Sequence, residues 1–112
     1  MDAKDLRDLV RFDEYGPRHE TLFESAHLWS EVVCLDRNQN VGPISDGDSD
    51  AIVLVVTGRV VVQVDRGRKR LEQWETSLVP ANSELTVTNA TGDPAVVLIV
   101  AAPPPARRAV TE

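Results

Sequence analysis

The chain is 112 residues long, with twelve Lys and Arg against eighteen Asp and Glu and a formal net charge of −6 at neutral pH. That length accommodates one domain around one core, and an acidic surface repels the phosphates of nucleic acid and of anionic membranes, so neither is expected as a partner. A single cysteine, Cys34, rules out an internal disulfide framework; the opening Met1-Asp2-Ala3-Lys4-Asp5 lacks the features of a secretion signal, and no apolar run nears the roughly 18 residues of a membrane span, so a cytoplasmic location is expected.

Valine carries the apolar content, and branching at Cβ favours a pleated surface over a helix. Residues 2–10 read as one short helix, with Leu6, Leu9 and Val10 on one face and Asp2 as its cap. Gly16-Pro17 breaks the chain, so residues 1–18 form a helix and lead-in. Strands are predicted at 19–24 and 28–35, followed by a polar turn at 36–40, Gly42-Pro43 and an acidic loop at 45–50. The clearest signal comes next: apolar strands at 52–56 and 59–65 joined through Thr57-Gly58, where glycine supplies a positive φ. Strands at 68–74, 77–79, 85–89 and 95–101 complete the series, with turns at Arg66-Gly67, Pro80 and residues 91–94. Short strands at this spacing, without helical crossovers, predict an antiparallel sandwich or barrel over residues 19–102. The tail at 103–112 opens with three prolines and is predicted to stay outside the sheet.

The stretch Val55-Val56-Thr57-Gly58-Arg59 resembles the end of the first motif of the cupin family, whose closing glycine corresponds to Gly58. The second motif runs from a Gly through five residues to Pro-x-Gly, then a His and an Asn four positions later; Trp74, Pro80, Asn82, Leu85 and Asn89 fall at those places, with Pro80 and Asn89 matching in identity. The chain thus resembles a small single-domain cupin, which implies an all-β fold, a cupin-like jelly-roll β-barrel with a short N-terminal helix. Cupins hold a metal through two histidines and a glutamate of the first motif and a histidine of the second. Here those positions carry Ser45 and Gly47 (Ile44 and Asp46 in a register slipped by one), Ala51 and Leu85. Alanine, glycine and leucine side chains have no lone pair for a metal. The resemblance therefore implies a metal-free barrel without a cofactor. Because cupins commonly pair through their sheets, it also implies a homodimer.

The expected function is non-catalytic binding of a small molecule inside the barrel. The pocket would be lined by Ser45, Gly47, Ala51, Val53, Leu85, Val87 and Asn89, with the Asn89 amide as its polar contact. One alternative is a metal-dependent isomerase or dioxygenase with a relocated site built from His19, His27, Asp46, Asp48 and Asp50. The other is a dimerisation or interaction module with a filled interior. Asp46, Asp48 and Asp50 also resemble the start of a calcium loop, but Ala51 and Thr57 stand where that loop needs glycine and glutamate. Cys34, within Val32-Val33-Cys34-Leu35, reads as a small buried hydrophobe, and the cluster Arg66-Gly67-Arg68-Lys69-Arg70 as a solvated hairpin tip, with an anion site or a subunit contact as alternatives. Both tryptophans read as packing residues. Alternation along 28–35 places Leu28, Ser30, Val32 and Cys34 on the barrel side and Trp29 outside.

Overall fold

The structure, a computed structural model, describes residues 1–105; the expected tail lies outside the described residues from position 106 onward. Nine strands follow in chain order: β1 (Arg18–Glu24), β2 (Trp29–Leu35), β3 (Asn40–Ser45), β4 (Asp50–Thr57), β5 (Arg59–Val64), β6 (Gly67–Glu72), β7 (Thr76–Val79), β8 (Glu84–Thr88) and β9 (Ala95–Ala102). They form two sheets of antiparallel pairs, ordered β1-β2-β9-β4-β7 and β3-β8-β5-β6. This is a jelly roll, and no described helix is long and apolar enough to cross a membrane.

The chain changes sheet between β4 and β5 at Gly58, whose φ is 82°. A Cβ there would lie 2.7 Å from the Pro94 carbonyl oxygen, so only glycine lets the two sheets close at this corner. Between the sheets, Trp29, Val33, Val53, Val55, Val97 and Ile99 meet Val60, Val62, Leu71, Leu85 and Val87 in the main core. A smaller cluster lies on the outer face of the five-stranded sheet, where Leu6, Leu9 and Val10 cover Val32, Cys34 and Val96.

Three expectations change. The N-terminal helix shrinks to one 3-10 turn, Leu6–Leu9, capped by Asp5 and not by Asp2. A segment so short is not helical on its own strength, and docking of its apolar residues on the sheet decides its shape. At its start, the Asp5 carboxyl accepts hydrogen bonds from the Arg7 side chain and backbone N–H, which hold its pKa down at about 2. Second, β3 occupies residues read as turn and loop. Gly42-Pro43 is tolerated because β3 is an edge strand whose register shifts between Val41 and Ile44, so Pro43 leaves no ladder donor missing. Gly42, at φ 107°, passes against the Leu85 carbonyl where a side chain would not fit. Third, the alternation in β2 holds but its faces are exchanged. Trp29 lies in the main core and is 2% exposed, while Val32 and Cys34 face outward beneath the N-terminal segment. The space between two sheets takes the large ring, and the thin layer under an extended segment takes the small side chains.

Candidate functional site

The barrel mouth lies where β3, β4 and β8 converge. Ala51 and Leu85 turn inward there, joined by Ile44, Asp46, Ser49 and Val79 around a cavity of about 20 Å³. That holds one water at most. Ser45 and Gly47, expected to line a pocket, lie on the rim and outside that lining; the slipped register, Ile44 and Asp46, is the one that faces in. Val53 and Val87 are fully buried core residues.

Asn89 sits just past the other end of β8 and is fully buried. Its amide nitrogen donates to the carbonyl oxygens of Leu35, Asp36 and Asp93 at 3.1, 3.2 and 2.7 Å. Its oxygen accepts from the Thr91 backbone N–H and hydroxyl. Every hydrogen-bonding position of this amide is used to close loops, so Asn89 is a structural clamp.

The relocated metal set does not assemble either. His19 lies near the start of β1 with Nδ1 3.3 Å from Glu31 Oε1, whereas His27 is exposed in the β1–β2 turn beyond the other end of that strand. The acidic loop serves the backbone: an Asp50 carboxyl oxygen accepts from the Ala81 N–H, and the Asp46 carbonyl accepts from Asn82 N–H. Ser49 ties the loop to the Pro103 carbonyl at 2.6 Å. Among the described residues, no three His, Cys, Asp or Glu side chains converge as a metal would require. The mouth offers one carboxylate, Asp46, and the hydroxyls of Ser49 and Ser83 among hydrocarbon walls, with no imidazole, a donor set that does not fit the metal of the resembled family.

A wider opening than the mouth lies elsewhere. The edge strands β6 and β7 belong to different sheets and diverge, leaving a groove of about 460 Å³. Val62, Val64 and Leu71 form its floor, Lys69 and Ser77 its sides, and Trp74 part of its rim. Trp74, expected at the end of a strand and packed, lies in the turn after β6 and is 70% exposed. Its backbone holds φ at 74°, fixed by its N–H donating to the Val55 carbonyl and by Glu75 N–H donating to the Glu72 carbonyl. Asn82 likewise adopts φ 68°. These are the two places where the resembled motif has glycine, so the sequence spacing carried a signal of left-handed backbone at both. The groove itself had no signal in the sequence, because its walls come from separate strands.

No family model matches the chain, and no curated protein matches it. Among solved structures, protein TT1209 of Thermus thermophilus is 28% identical, superposing with a TM-score of 0.90 over 94% of this chain and 100% of that one. An RmlC-like cupin protein of Desulfovibrio desulfuricans has a TM-score of 0.83 over 93% of this chain and 98% of its own, at 22% identity. An uncharacterized conserved protein with a double-stranded β-helix domain from Klebsiella pneumoniae reaches 0.85 over 92% and 90%, at 14% identity. With its two antiparallel sheets and these neighbours, the chain has the fold of a small cupin-like domain.

Proposed function

We propose that this cupin-like domain is a metal-free, non-catalytic module that binds a small molecule and works as a homodimer. One observation carries the binding reading: the mouth is closed to about 20 Å³ by Ala51, Leu85 and their neighbours, while about 460 Å³ stands open between β6 and β7. The second volume is in the range of small-molecule sites and joins an apolar floor of Val62, Val64 and Leu71 to polar walls. The binding site therefore moves from the barrel interior to the groove.

Two measurements test it. Plasma mass spectrometry of untagged protein purified without chelators should find less than about a tenth of an equivalent of any transition metal; a near-stoichiometric metal would return the enzyme reading. A thermal-shift screen of small metabolites should give compounds that raise Tm in proportion to the logarithm of their concentration, as ligands of the folded state do. A library that leaves Tm unmoved at millimolar concentration removes the binding reading.

A further inference from the structure

We infer that the groove between β6 and β7 is a site for a small anion built on a flat ring, with the Trp74 indole as the stacking face and the Lys69 ammonium as the charge partner. This rests on the binding-module reading and gives it a ligand class.

Trp74 carries the argument. A bulky residue at φ 74° is in a backbone region that glycine occupies freely and side chains resist. Strain of this kind persists when something offsets it. In a core, burial of the ring would do so, but this indole is 70% exposed and is absent from both hydrophobic clusters. The described chain draws little packing from it. What the residue gains is a position: a flat apolar face on the rim of the groove.

The ligand's charge follows from the walls. Lys69 pairs with Val62 across β5 and β6 and lines the groove, and among the described residues it makes no ion pair. Arg68 lines the groove beside it and Arg66 and Arg70 flank the pair, so a chain of net charge −6 concentrates four cations in five residues here. The one carboxylate on the groove lining, Glu75, accepts a hydrogen bond from the Glu72 backbone N–H at 2.8 Å and so is drawn into its own turn. Val62, Val64 and Leu71 on the groove floor leave apolar surface that a ring covers and a hydrated inorganic ion does not.

The test uses 2-naphthoate as probe, titrated calorimetrically into the full chain, with uncharged 2-naphthamide as control. Saturable one-to-one binding is expected, with the amide about tenfold weaker. Lys69→Met should weaken naphthoate about tenfold while leaving the amide unchanged. Trp74→Phe should retain binding. Trp74→Gly should remove it and at the same time raise Tm by about 4 °C or more, because the strain goes with the ring. That opposite movement of stability and affinity is what a merely structural tryptophan does not produce. A Tm that falls in Trp74→Gly, naphthoate affinity indifferent to both substitutions, or no saturation at millimolar probe each overturns the inference. Screen compounds that stabilise wild type and Trp74→Gly equally would keep the binding-module reading and sink this one; an unresponsive screen sinks both.

Discussion

At Asn89 the amide nitrogen gathers three carbonyl oxygens from two separate loops, and the spacing of the second motif had placed the residue without saying which way it points. A side chain's position in a strand follows from sequence; two of its partners, Leu35 and Asp36, lie 54 and 53 residues away and do not. Asn89→Ala leaves those carbonyls buried and unanswered, and each such loss is costly, so urea denaturation should show a destabilisation of about 3 kcal/mol with ligand binding in the groove unchanged. Gly58 is the opposite case. Its left-handed backbone was legible from Thr57-Gly58 between two apolar runs, and the structure adds the reason no substitute fits. Gly58→Ala should cost about 2 kcal/mol or more, through φ strain and the approach of its Cβ to Pro94 and Ala95.

Elements were legible where the pattern was local. The apolar runs became β4, β5 and β9, since alternation and turn residues suffice to mark a strand whose neighbours are equally apolar. Strand β3 was hidden because Gly42-Pro43 signals a break, and only an edge position with a register shift makes it compatible with pairing. The two faces of β2 could be separated by alternation but not assigned, because the assignment depends on what the N-terminal segment covers. That covering layer is testable through Cys34, a fully buried thiol on the outer face whose pKa is raised above its ordinary 9.0, chiefly by burial. A thiol that is both buried and held protonated should react with an aromatic disulfide far more slowly than a free cysteine at pH 8. Replacing Leu6 and Leu9 by Ala should speed the reaction at least tenfold while the circular-dichroism signature of the barrel persists. The same shift sets a sign for stability. Above pH 9.0 the unfolded thiol ionises while the folded one keeps its proton, so stability declines as pH rises through the folded pKa. Cys34→Ala, in a parallel alkaline series, should lack that component of the decline.

For the whole molecule, the rhythm of short strands was enough to expect two antiparallel sheets, since few architectures bury so many apolar strands without helices. Which end of the barrel closes and which seam opens was not legible. Cavities are what packing leaves among side chains that the sequence keeps far apart. The same is true of the surface left over once the N-terminal segment has covered half of the five-stranded sheet. On the other half, Ile52, Leu78 and Val100 form an apolar strip across β4, β7 and β9, with Ile52 45% and Leu78 62% exposed. A second copy meeting this strip about a two-fold axis would bury the same residues from both sides and, with Asp50 at the margin, bring few charges together. Two chains of net charge −6 also repel at long range, and salt screens that repulsion without weakening apolar contact. Light scattering should therefore give a dimer whose dissociation constant tightens as ionic strength rises. Leu78→Glu should convert it to a monomer with little change in unfolding free energy of the protomer, because a side chain so exposed contributes little to the protomer's own core. A wild-type chain that stays monomeric at about 100 μM, where a specific micromolar dimer would be mostly associated, assigns the strip to some other contact.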